Sequence, residues 1–137
     1  MNNNNRSERA QQKRDFETYA ELESVIEELN ESVDAIIVEG ARDKKGLREL
    51  GITKAILMCS TKPDTAFIDD LRSRYKRVAI LTDYDRAGKR FNKRLTVRLE
   101  HESIKVETKF RSKIGRILGL RGMRDIESVN ALKKRLL

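Results

Sequence analysis

Four short apolar runs recur along the chain, separated by longer segments with a helical period. The runs cover residues 35–38, 54–59, 78–81 and 103–108. The first and third are apolar at every position. That is the pattern of strands covered on both faces, not of strands with one wet side. The segments between them (43–50, 64–75 and 87–100) place apolar residues three and four apart. Strand and helix alternating in this way predict an α/β fold. The expected architecture is Rossmann-like: a four-stranded, mainly parallel sheet with helices on both faces.

A helix is expected over residues 6–31, preceded by a polar tail, residues 1–5, expected to be disordered. Phe16, Tyr19, Leu22, Ile26, Leu29 and Val33 form one stripe along it. The stripe packs on the domain or seals a homodimer, and spacing alone does not choose between these. Gly51 is expected to stop the helix over 43–50. Pro63 suits the first turn of the next helix, with Phe67, Ile68 and Leu71 turned inward. In 87–100, Ala87, Phe91, Leu95 and Leu99 share a face. Arg86, Lys89, Arg90, Lys93 and Arg94 fall opposite, interrupted by Val97. His101 is expected in the turn that follows, on the surface. Two short helices end the chain. The first carries Phe110, Ile114, Ile117 and Leu118 and is expected to break at Gly119 and Gly122. The second begins at the cap Asp125 and carries Ile126, Val129, Leu132 and Leu136. The layout is a tail and helix (1–33), a core (34–108) and a basic helical extension (109–137). All of it is expected to form one compact domain, which 137 residues can support.

Charge changes this picture more than size does. Hydrophobic and charged residues each make up 38% of the chain, so the core must be compact and the surface densely charged. The net charge is +8, unevenly placed. Residues 1–34 carry 4 basic against 9 acidic residues, whereas residues 86–137 carry 16 against 5. The C-terminal third is therefore the surface suited to a polyanion. The single cysteine, Cys59, excludes an internal disulfide and lies in an apolar run, as a buried thiol would. No apolar run has the length to span a bilayer and the N-terminus is polar, so a cytoplasmic protein without a membrane partner is expected.

The candidate chemistry sits where two apolar runs end. Residues 78–81 lead into Thr82-Asp83-Tyr84-Asp85-Arg86-Ala87-Gly88. Asp83 and Asp85 project from the same side of an extended chain. They fall at the carboxyl end of a strand, where open α/β sheets place their ligands. Two carboxylates this close repel each other unless a cation lies between them, and magnesium takes such oxygen ligands. The alternative is a polar loop with an aspartate cap. Gly88 would let the chain turn tightly into the basic helix. The run 35–38 ends likewise, in Glu39-Gly40, and a doubly wound sheet can bring both ends to one edge.

VEGARD (residues 38–43) followed by DYDRAG (residues 83–88), each after an apolar strand, resembles the Toprim domain. That domain is shared by type IA and type II topoisomerases, bacterial primases, OLD-family nucleases and small RNA-maturing ribonucleases. The resemblance spans roughly residues 34–107. It implies Glu39 as general acid or base, and Asp83 and Asp85 as magnesium ligands with Glu39 beside them; manganese would suit the same oxygens. One position departs from the type IA pattern, which has a third acid where this chain has Ala87. That points to the nuclease and primase branches. The implied activity is magnesium-dependent phosphoryl transfer on DNA or RNA by a small nuclease or RNA-processing enzyme. The alternatives are a non-catalytic nucleic-acid-binding subunit of a larger complex and a primase-like fragment. Candidate phosphate contacts are Arg42 and Lys44, the helix residues Arg86, Lys89, Arg90, Lys93 and Arg94, and Arg111, Lys113 and Arg116 in the extension. The face formed by the five helix residues is equally consistent with a solvated surface.

Overall fold

The computed structural model describes residues 3–59 and 64–120. Strands β1 (Ala35–Val38), β2 (Ala55–Met58), β3 (Arg77–Ile80) and β4 (Lys105–Val106) form one sheet in the order β2-β1-β3-β4. All three pairings are parallel. Alternation along β1 sends Ile36 and Val38 into one core and Ala35 and Ile37 into the other. That two-sided burial is why the run has no polar position.

Helices α1 (Asn3–Ser32), α2 (Ala41–Glu49) and α5 (Lys109–Leu120) lie on one side of the sheet. Helices α3 (Thr65–Arg74) and α4 (Arg86–His101) cover the other. The α4 face that meets the sheet carries Phe91, Leu95 and Leu99, all buried. Each such side chain contributes about 1.5–3 kcal/mol, so the seating of α4, and of the loop before it, is firmly fixed.

Several expectations are corrected in detail. α1 starts at Asn3, so part of the expected disordered tail is helical. Leu22, Ile26, Leu29 and Val33 are buried, but Phe16 is 64% exposed. The packed side at that level carries Asp15, which is only 2% exposed. α3 begins at Thr65 behind its cap Asp64, which accepts the Phe67 amide at 2.7 Å; Pro63 lies outside the described residues. β4 is shorter than 103–108 because Ser103 has φ 66, a left-handed conformation no strand contains. His101 ends α4 and does not lie in a turn, though it is exposed as expected. α5 runs through Gly119 to Leu120. A helical glycine costs about 1 kcal/mol, less than the burial of Ile117 and Leu118 in the same turn contributes. Gly51 does end α2, with φ 106. The helix expected after Asp125 lies outside the described residues.

Candidate metal and nucleic-acid site

β1 and β3 are neighbours, and the chain leaves them for opposite edges of the sheet. Their carboxyl ends flank the switch point, the crevice where doubly wound sheets bind ligands. Glu39 follows β1 there, and Asp83 follows β3. Glu39 Oε1 accepts the Asp83 main-chain N–H at 3.2 Å, so the two sequence motifs meet directly. After Glu39, Gly40 is the N-cap of α2, and Asp43 Oδ2 accepts the Gly40 amide at 3.3 Å. Asp43 thus serves the backbone of the first motif. Arg42 is exposed and Lys44 half-buried just beyond it.

Asp85 has two claims on it. It is the N-cap of α4, with Oδ1 accepting the Gly88 amide at 2.7 Å. The aspartate-cap alternative is therefore realised by the same residue expected to bind metal. The role expected of Gly88 also changes. It lies within the first turn of α4, and a Cβ there would stand 2.0 Å from the Asp83 carbonyl oxygen. Glycine is needed for close approach of helix and loop, not for a turn. Gly88, not the exposed Ala87, takes the buried position above Phe91. Thr82, 1% exposed, donates to the Gly88 carbonyl at 2.9 Å and locks this contact.

Among the described residues no three His, Cys, Asp or Glu side chains converge as a ready metal cluster. The acids nevertheless suit a hard divalent cation. Glu39 and Asp85 line the same cavity, and the main-chain bonds just described use one oxygen of each. Magnesium is commonly held by one or two carboxylates together with substrate phosphates and water, so a closed protein cage is not required.

Two residues that sequence reasoning placed poorly complete the site. Arg111, expected as a surface phosphate contact, is half-buried, and its Nη2 donates to the Asp83 carbonyl at 2.7 Å. Its guanidinium lies 4.5 Å from the centroid of the Tyr84 ring. Tyr84, overlooked in the sequence, donates its hydroxyl to the Arg111 carbonyl at 2.7 Å. Gly115 leaves room for that ring, since a Cβ there would meet Tyr84 Cε1 at 2.5 Å. Burial pulls the basicity of Arg111 down, while Tyr84, Glu39, Asp83 and Asp85 push it up. Burial raises the Tyr84 phenol, partly offset by Arg111. Cys59 is buried, as expected, with Sγ 3.4 Å from the Val38 carbonyl oxygen. Burial, then the nearby Glu39 charge, push its thiol up to about 11. Tyr84 carried one legible signal: between two acids in extended chain, it points away from them. Nothing in the sequence tied Arg111 to the acids.

The basic residues divide into two groups. Arg86, Lys89, Arg90, Lys93 and Arg94 are all exposed on α4. Arg90 and Arg94 line a cavity of about 180 Å³ together with Glu39 and Asp85. Lys113 and Arg116 are directed to α1, at 3.5 Å from Glu28 and 3.8 Å from Glu21. Lys109 also reaches Glu28, at 3.3 Å. Much of the positive charge in α5 is thus set against the acidic first helix.

A family model described as the Toprim domain matches residues 34–117. The chain belongs to the Toprim domain family. A UPF0292 protein of Methanocaldococcus jannaschii is 40% identical over 124 residues, covering 88% of this chain and 96% of that protein. A UPF0292 protein of Pyrococcus abyssi is 40% identical over 116 residues, covering 85% and 84%. A solved structure of a putative protein from Aquifex aeolicus superposes with a TM-score of 0.63 at 29% identity, covering 77% of this chain and 94% of that one. Toprim domains typically bind divalent metal and are associated with nucleic acid. Among the described residues no helix is long and apolar enough to cross a membrane.

Proposed function

We propose that this protein is a magnesium- or manganese-dependent phosphodiesterase acting on DNA or RNA, a small Toprim nuclease or RNA-processing enzyme. The observation that carries this reading is the shared cavity: Glu39, Asp85, Arg90 and Arg94 all line it. Acids beside basic side chains are what a phosphodiester and a divalent cation require together. Asp83 and Asp85, with Glu39 beside them, would hold the cation, which when bound neutralises charge on the phosphoryl oxygens. Glu39 moves the proton, taking it from water or returning it to the leaving oxygen. Arg90 and Arg94 fix the phosphate, and Arg86, Lys89 and Lys93 follow the strand beyond the site. At about 180 Å³ the cavity is below the size of pockets that enclose a whole small-molecule ligand. It suits a backbone phosphate better than an extruded base, and cleavage without strong sequence preference follows.

The test is incubation of the full chain with labelled single-stranded DNA, duplex DNA and structured RNA, with magnesium, manganese or chelator. Asp83→Asn and Glu39→Gln serve as controls. Metal-dependent cleavage that both variants lose supports the reading. Cleavage that survives in both refutes it. The engagement of Asp85 as a helix cap favours a second reading, a binding module without turnover in a larger complex. Metal-insensitive binding with no cleavage is its signature.

A further inference from the structure

Besides Arg90 and Arg94 of α4, which share the cavity with Glu39 and Asp85, the acid site has a positive charge supplied from α5. Arg111 reaches in beneath the loop after β3, and Nη2 bonds to the Asp83 carbonyl at 2.7 Å. Its guanidinium is stacked on Tyr84, and Tyr84 is bonded back to the Arg111 main chain and accommodated by Gly115. Its Nε is buried without a hydrogen-bond partner. An unmet donor at a buried position is costly. A side chain needed only for packing would not retain a charged fork there. Tyr84, Glu39, Asp83 and Asp85 all act on this guanidinium and offset part of the cost of its burial, which still holds its basicity below the usual value.

We propose that Arg111 is the positioning residue of the acid site and its resident counter-charge. It clamps the Asp83 carbonyl, and it partly neutralises the acids, so a divalent cation binds the free protein weakly. A substrate phosphate offsets that opposition, and cation and phosphate load together. This inference rests on the metal-dependent reading above.

Manganese titration calorimetry on the full chain, without nucleic acid, tests it. Arg111→Met keeps a long side chain against Tyr84 and removes the charge. It should bind manganese about tenfold more tightly, because an opposing unit charge near the site is gone. Arg111→Lys keeps the charge and should bind like the wild type. Lys113→Met, two residues along α5 and paired with Glu28, should also leave affinity unchanged. A purely structural Arg111 predicts the opposite sign, since a loosened loop would misplace the acids and weaken binding. Unchanged or weaker affinity in Arg111→Met overturns the inference, as does an equal gain in Lys113→Met or a tenfold gain in Arg111→Lys. Absence of manganese binding in wild type and Arg111→Met alike overturns the metal-dependent reading itself, and the inference with it. Binding by the wild type with no gain in Arg111→Met sinks the inference alone.

Discussion

Glu39 Oε1 accepts the main-chain N–H of Asp83 at 3.2 Å, so the acid that ends β1 also fixes the loop that follows β3. One side chain therefore holds the loop and, on the function proposed above, also offers the proton-transfer group. The two roles separate by substitution. Glu39→Gln keeps an acceptor oxygen and should change stability by less than about 0.5 kcal/mol. Glu39→Ala leaves the Asp83 amide without its partner and should cost about 1–3 kcal/mol. Both should lose roughly 100-fold or more of the metal-dependent cleavage. Urea unfolding next to the cleavage assay gives both numbers. Full cleavage by the Gln variant would remove Glu39 from proton transfer.

Asp85 poses the same question in a sharper form, because its cap bond to Gly88 is short, at 2.7 Å. Asparagine caps helices as well as aspartate does, and alanine costs about 1 kcal/mol. Asp85→Asn should therefore melt with the wild type, while Asp85→Ala melts several degrees lower. If Asp85 also holds the cation, both variants should show weakened manganese binding, the Asn variant with its helix intact. Wild-type manganese affinity in Asp85→Asn would leave the residue with the cap alone.

The strands and the meeting of Glu39 with the loop at Asp83 were legible in the sequence, for physical reasons. β1 and β3 are buried on both faces, and uninterrupted apolar runs are what that burial demands. The two motifs fall at strand ends, and a parallel sheet brings those ends to one edge. What escaped was decided by tertiary contact. Asp85 suits both a cap and a cation, so residue type could not separate the roles. Ala87 and Gly88 differ by one step of helical phase, and only the approach of the Asp83 carbonyl shows which is buried. Arg111 has the same local character as Lys113, yet one turns to Asp83 and the other to Glu28. Phe16 fitted the stripe on α1 by spacing, but Asp15 holds the packed position.

The Cys59 thiol provides a pH test of the site's electrostatics. Burial and Glu39 raise it from 9.0 to about 11 in the folded protein. A raised folded value means that the protonated thiol is favoured by folding. The associated stability is fully present below pH about 9 and is lost as pH rises through about 11. Alkylation of the folded chain by iodoacetamide should follow thiolate formation with a midpoint near pH 11. Glu39→Gln should move that midpoint down, and Cys59→Ala should flatten part of the alkaline loss of stability. A midpoint near 9 in the native protein would show that Cys59 is not buried beside Glu39.

The two groups of basic residues should behave differently toward nucleic acid, and salt dependence tells them apart. Arg90 and Arg94 line the cavity with Glu39 and Asp85, one helical turn apart on α4. Lys113 and Arg116 are set against Glu28 and Glu21 of α1. Each phosphate neutralised by the protein releases counterions, contributing a log–log salt slope of about −0.9 for duplex or −0.7 for single strands. Replacing Arg90 and Arg94 by alanine should therefore weaken binding and make the slope shallower by roughly 1.4–1.8. The loss should be nearly equal across sequences, since phosphate contacts position a strand without reading it. The fold should survive, because both side chains are exposed and neither belongs to the buried face of Phe91, Leu95 and Leu99. Replacing Lys113 and Arg116 removes charge already facing acids and should leave the slope within about 0.5 of the wild type. Exposed pairs of this kind contribute at most about 1 kcal/mol, so stability should change little as well. Filter binding of one labelled oligonucleotide at four salt concentrations measures all three proteins. An unchanged slope in the Arg90 and Arg94 variant, with a fall in the Lys113 and Arg116 variant, would move the nucleic-acid surface from α4 to α5.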